Sequence, residues 1–172
     1  GNLQRVVLKR MHAHLGEQKD LVQSLVHEAK VAAHVSSGNV AQVLDLLEHG
    51  GTLYITMEYV EGLDLNHLLR LFTRHQLRVP MSFVFHVITG VLRGLEAVHN
   101  VCDDQDRKLG LVHLDLTPGN ILVSFEGEVK ICDFGIARAT ARDILDRTKI
   151  QGKFSYMSPD QAAGGELDHR SD

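Results

Sequence analysis

The sequence predicts an α+β fold in two parts, a sheet-rich first part joined to a helix-led second. Three observations carry that prediction. Strand-like runs at Val40 to Leu47 and Leu53 to Val60 flank the pair Gly50-Gly51, a hairpin signal. Val84, Val87, Ile88, Val91, Leu95 and Val98 recur at helical spacing and form a wide apolar stripe. Two further short runs, Ile121 to Ser124 and Glu128 to Cys132, are turned by Glu126-Gly127.

Taken in order, Val6-Val7-Leu8 is a short β-branched strand that ends in Lys9. Asp20 caps a predicted helix to about Val35, with Leu21, Leu25, Ala29 and Ala32 at helical spacing. After the hairpin, Glu61 to Asp64 leads into a helix near Leu65 to Phe72. Ser82 is the expected cap of the long helix. The polar stretch from Ala139 to Gly152 shows neither period.

Composition narrows the function classes. The chain has 172 residues, 44% hydrophobic and 23% charged, which suits one globular domain or part of one and excludes disorder. A formal net charge of −4 gives no basic footprint for nucleic acid. The longest apolar stretch, Met81 to Leu92, is broken by His86, and the expectation is that no segment spans a membrane. Cys102 and Cys132 are too few for a disulfide framework, so a reducing, cytoplasmic setting is expected. The eleven histidines are spread along the chain without zinc-like spacing and read as surface or packed core residues.

One helical position breaks the pattern. Glu28 lies three residues after Leu25 and four before Ala32, on the apolar face of its helix. A carboxylate there is costly unless a cation meets it, and Lys9 at the end of the preceding strand is the candidate. The alternative is a Glu at the margin of the stripe that reaches solvent.

His113-Leu114-Asp115-Leu116-Thr117-Pro118-Gly119-Asn120 precedes one strand, and Asp133-Phe134-Gly135 follows the next. An Asp, an Asn five residues on and an Asp thirteen further set three oxygen-bearing side chains around one hairpin. Mg²⁺ prefers such oxygens, usually one or two carboxylates plus substrate phosphates. Phosphoryl transfer also needs a group that orients and deprotonates the attacking hydroxyl. In that arrangement Asp115 orients the nucleophile while Asn120 and Asp133 hold the metal.

On these motifs the chain resembles the eukaryotic-like serine/threonine protein kinases. Val6-Val7-Leu8-Lys9 is similar to that family's lysine strand, Glu28 to its helix partner, and Met57-Glu58-Tyr59-Val60 to the gatekeeper and hinge. Tyr156-Met157-Ser158-Pro159-Asp160 resembles the end of the activation segment, and Asp168-His169-Arg170-Ser171-Asp172 the entry to the next helix. The wording of Ser124 to Lys130 and of Tyr156 to Pro159 is most similar to bacterial kinases, myxobacterial ones in particular.

The resemblance implies a two-lobed fold, with residues 1–57 in the first lobe, 58–64 as the hinge and 65–172 in the second. It implies ATP and Mg²⁺ as cofactors and a protein hydroxyl as acceptor. Lys9 would contact the α- and β-phosphates and pair with Glu28. Met57 would lie behind the adenine, Glu58 and Val60 would offer backbone hydrogen bonds, and Val7 and Leu122 would sandwich the ring. Asp64 matches a position that meets ribose hydroxyls, and it also reads as the N-cap of the following helix. His113 and Phe134 would pack the catalytic loops. The family's glycine-rich loop should precede Val6 and its later helices should follow Asp172, so the expectation is an internal piece of a kinase domain, incomplete at both ends.

Three positions depart from the family pattern. Leu114 replaces an arginine, Thr117 replaces a lysine, and Asp160 is one methylene shorter than the usual glutamate. Lys153, where relatives carry threonine, would supply the charge absent at Thr117. Two other readings stand beside the kinase: a nucleotide-binding pseudokinase scaffold, and a small-molecule kinase of the aminoglycoside phosphotransferase type.

Overall fold

The computed structural model describes residues 5–11, 26, 29–133 and 154–172. Asp20, Leu21, Leu25, Glu28, Phe134, Gly135 and the stretch 139–152, all named above, lie outside these described residues, as does Lys153.

The first sheet has three antiparallel strands, β1 (Val6–Arg10), β2 (Val43–His49) and β3 (Thr52–Glu58), in the order β1-β3-β2. β2 and β3 form the expected hairpin, with Gly50 and Gly51 at φ +57° and +72°, the left-handed values a tight two-residue turn demands. β1 pairs with β3 so that Val7 faces Met57 and Lys9 faces Ile55. Cross-strand partners share a face, so Val7, Lys9, Ile55 and Met57 all look the same way. The residues at 29–33 are helical, and Ala29 and Ala32 are buried as their spacing predicts.

The second sheet contains β4 (Gly62–Asp64), β5 (Ile121–Ser124) and β6 (Val129–Ile131), in that order and antiparallel. The β5–β6 turn falls at Gly127, as expected. β4 carries no sequence signal, because three residues are too few to show a period. Helix α1 (Leu65–Arg74) follows directly, and Asp64 caps it by accepting the His67 N–H at 2.8 Å.

Helix α2 (Met81–His99) starts at Pro80 with no side-chain cap, which corrects the expectation that Ser82 caps it. Its fixed φ of −65° suits proline to the helix entrance. Val87, Gly90, Val91, Gly94, Leu95 and Val98 are buried. A Cβ at Gly90 or Gly94 would collide with Val129 or with the Asn39 carbonyl, so both glycines let the helix lie directly on β6 and on the loop before β2. Ile88, read as part of the buried stripe, is exposed instead; it shares the outer face with Met81, Phe85 and Leu92. The helix is long and apolar enough to cross a membrane by length and composition, contrary to the reading that stopped the apolar run at Leu92. His86, which breaks the apolar run, lies within the helix, and its ring bonds to the Gly127 carbonyl. The inner face is spent on the core, which also gathers Val35, Val40, Ile55, Val123 and Ile131.

Val40, read as the start of β2, pairs instead with Ile131 of the second sheet in a parallel bridge. The Ala41 N–H donates to the Ile131 carbonyl and the Ile131 N–H to the Asn39 carbonyl, both at 2.9 Å. The Asn39 side chain adds a 2.8 Å bond to the Val129 carbonyl. A loop of the first part is thus stitched into the second. Past the loops, α3 (Pro159–Ala163) is held by a capping box between Ser158 and Gln161.

Candidate active site

β1 delivers Lys9 to the gap between the two sheets, and the end of β6 delivers Asp133. Lys9 Nζ lies 2.7 Å from Asp133 Oδ1, with both side chains about one third exposed. The contact is an ion pair, and Oδ1 has no hydrogen-bond donor. A buried carboxylate oxygen in that state suits a hard cation.

The loop 113–120 supplies the second pair. Asn120 Nδ2 donates to the Asp115 carbonyl at 2.7 Å and to its Oδ2 at 3.1 Å. That fixes the amide so that its oxygen, the only atom able to bind a metal, turns the other way. The Cys132 N–H donates to the Asn120 carbonyl at 2.9 Å, which locks the loop to the strand bearing Asp133. Asp133 and Leu114 both have φ near +63°, a left-handed value that costs energy in non-glycine residues and collects at functional sites.

The strain at Leu114 is compensated by Asp172. Its carboxylate is 1% exposed and accepts the His113 N–H at 2.8 Å, the Leu114 N–H at 2.7 Å and His99 Nε2 at 2.8 Å. Gln161 Nε2 donates to the Leu114 carbonyl at 2.7 Å from the other side. The sequence reading placed Asp172 at a helix entry and overlooked this role, as it overlooked Gln161; their partners lie far away along the chain.

His113 is fully buried. Its Nε2–H donates to the Cys132 carbonyl at 3.1 Å, and its Nδ1 accepts the Asp115 N–H at 3.3 Å. The bond accepted at Nδ1 requires the neutral ring. Burial pushes the imidazole below its ordinary value, against the opposing pull of Asp172 and Asp115. The Cys132 thiol is pushed up to about 12, first by burial and then by the charge of Asp133; Lys9, Asp64 and Asp115 also act on it.

On the first sheet, Met57 is buried while Val7 is 37% exposed on the same face. Leu122 of β5 and Val60 are half-buried. The Glu58 N–H is occupied by the Gln42 carbonyl at 2.9 Å. The structure thus brings Lys9 to Asp133 and Asp115 to Asn120, while Glu28 and Lys153 fall outside the described residues. Among the described residues no three His, Cys, Asp or Glu side chains gather as a metal cage. An Asp with an Asn is instead the sparse donor set of an Mg²⁺ that leans on substrate phosphates.

Comparison with known proteins agrees with this geometry. The sequence profile described as "Protein kinase domain" matches residues 2–172. The tyrosine-protein kinase MasK of Myxococcus xanthus is 39% identical over 97% of this chain and 26% of its own length. The serine/threonine-protein kinase PknL of Mycobacterium tuberculosis is 34% identical over 97% of this chain and 39% of its own. The chain therefore spans about a quarter to two fifths of the length of these relatives. Among solved structures, the kinase domain of Mycobacterium tuberculosis PknI superposes with a TM-score of 0.71 at 25% identity, covering 97% of this chain and 58% of that one. With its two sheets, its Asp115–Asn120 loop and its Lys9–Asp133 pair, this chain belongs to the protein kinase family.

Proposed function

We propose that this chain carries the catalytic site of a serine/threonine protein kinase that transfers the γ-phosphoryl group of ATP to a protein hydroxyl in a signalling role. The observation that supports it most is the Asn120–Asp115 hydrogen bond, set beside the hairpin whose far end carries Asp133, the ion-pair partner of Lys9. In this reading Asp115 orients the acceptor hydroxyl and takes its proton as the oxygen attacks the γ-phosphorus and the bond to the ADP oxygen breaks. Lys9 holds the α- and β-phosphates, with Glu28 as its partner. Asn120 and Asp133 hold Mg²⁺, which supplies charge neutralisation at the phosphates. Val7 and Leu122 enclose the adenine in front of Met57, Glu58 and Val60 offer it backbone groups, and Asp64 meets the ribose with the carboxylate oxygen its cap does not use. Lys153 brings the positive charge that Thr117 lacks. Two free cysteines and dependence on ATP fit a cytoplasmic site of action.

The names of the relatives support a protein kinase over a scaffold or a small-molecule kinase. They divide on the acceptor, because MasK is named a tyrosine kinase. The test is phosphotransfer by the full-length protein with labelled ATP and a generic protein substrate, followed by phosphoamino-acid analysis. Phosphoserine or phosphothreonine is expected, with loss of the label in Asp115→Asn. Phosphotyrosine alone would overturn the acceptor, and undiminished label in Asp115→Asn would overturn the kinase itself.

A further inference from the structure

Among the described residues, two side chains that carry or can take up positive charge are buried, His113 and Lys130. His113 belongs to the catalytic loop. Lys130 lies in β6, cross-strand from Leu122, which is in turn cross-strand from Asp64. Directly opposed residues share a face, so the three form one row, running from the expected ribose end past the adenine floor to the far edge.

At that edge Lys130 meets the chain leaving β3. Its Nζ is 2.9 Å from Glu58 Oε1, with side-chain exposures of 9% and 29%. Glu58 Oε2 accepts the Gln42 N–H at 3.2 Å, and the Glu58 N–H donates to the Gln42 carbonyl. Glu58 is thus held by a cation of the second sheet and by the loop before β2, while its neighbour Met57 closes the back of the adenine space. The pair itself lines a cleft of about 460 Å³, together with Ser36, Ser37, Gly38, Gln42 and Leu44.

A buried ammonium with a carboxylate partner adds little stability over an apolar side chain of the same length, because desolvation offsets the attraction. What it does is fix geometry. We propose that Lys130 is a positioning residue for nucleotide binding: through Glu58 it sets where the chain between β3 and β4 presents its backbone to the adenine ring. The proposal rests on the phosphotransfer reading above. A displacement of the Glu58–Val60 backbone by a fraction of an ångström lengthens hydrogen bonds to the ring and leaves the reacting atoms alone.

The test is steady-state kinetics on the full-length protein. Lys130→Met is expected to raise the KM for ATP about tenfold or more, with kcat and the KM for the protein substrate within about twofold. Glu58→Gln, which keeps the shape of the side chain, should raise the ATP KM similarly, and the double variant should be no worse than either single one. Should Lys130→Met not fold, Glu58→Gln read by direct binding of an ATP analogue carries the same expectation. An ATP KM within twofold of the parent, a fall in kcat alone, or additive effects in the double variant would each overturn the proposal. Asp115→Asn as a companion separates the two failures: its loss of turnover beside an unchanged ATP KM in Lys130→Met sinks only the role of Lys130.

Discussion

The amide nitrogen of Asn120 donates to Asp115 twice, at 2.7 Å to its backbone carbonyl and at 3.1 Å to its carboxylate. A single side chain thereby ties the expected base to the expected metal ligand. Asn120→Ala removes both bonds and the metal-facing oxygen together. A fall in kcat of about a hundredfold or more is expected, the scale seen when one preorganised polar group is lost from a transition state. Asn120→Asp should not rescue it, because a second carboxylate would stand against Asp115. Full activity in either variant would refute the arrangement.

Asp172 accepts three hydrogen bonds while almost wholly buried, two of them from the backbone of the loop 113–120. Asp172→Ala would strand both N–H donors and release the left-handed Leu114. A loss of about 3 kcal/mol or more is expected, since each buried group left without its charged partner costs about 1.5–3 kcal/mol. Chemical denaturation against the parent protein measures it, and a loss under about 1 kcal/mol would show that water replaces the carboxylate.

Cys132 should label slowly. With its thiol near 12, only about one part in ten thousand is thiolate at pH 8. Cys102 is half-exposed and should react first with a disulfide reagent. The slow phase should quicken with pH and slow further with ATP. A second equivalent reacting as fast as the first, whatever the nucleotide, would contradict the placement of Cys132.

His113 predicts a dependence of stability on pH. Its folded-state value lies below the ordinary 6.5, so in acid the unfolded chain takes up a proton that the folded chain refuses. The stability from this group is intact above about pH 6.5 and is lost as pH falls below that, at up to about 1.4 kcal/mol per unit. Denaturation midpoints measured between pH 5 and pH 8 for the parent and for His113→Asn check it. The neutral variant should show the shallower slope, and equal slopes would exclude His113 as the source.

The legible part of the molecule was the local part. The Gly50-Gly51 hairpin, the inner stripe of α2 and the Asp115–Asn120–Asp133 spacing all follow from residues that are near each other in sequence or joined by one hairpin. Val40 misled because a β-branched residue looks the same whether it continues β2 or crosses to Ile131. Ile88 misled because α2 is apolar on more than one face, and periodicity alone does not say which face the sheet covers. Asp172, Gln161 and the Glu58–Lys130 pair were invisible for another reason. Each acts on a partner tens of residues away, and only the fold sets that distance. The resemblance to kinases named the chemistry that spacing left general.

The stitching of residues 39–41 to Ile131 has a kinematic consequence. Among the described residues the bridge beside β2, the Lys130–Glu58 pair and the chain after Glu58 gather along one edge of the first sheet, with Gln42 bonded to Glu58 between them. Two bodies held along one edge keep one easy motion, a swing about that edge. β2 adjoins that axis and β1 lies across the sheet from it. Met57 and Glu58 near the axis barely travel during such a swing, whereas Val7 and Lys9 sweep the widest arc. The 2.7 Å contact between Lys9 and Asp133 is therefore the latch at the free edge of a door, and the first contact that opening would break.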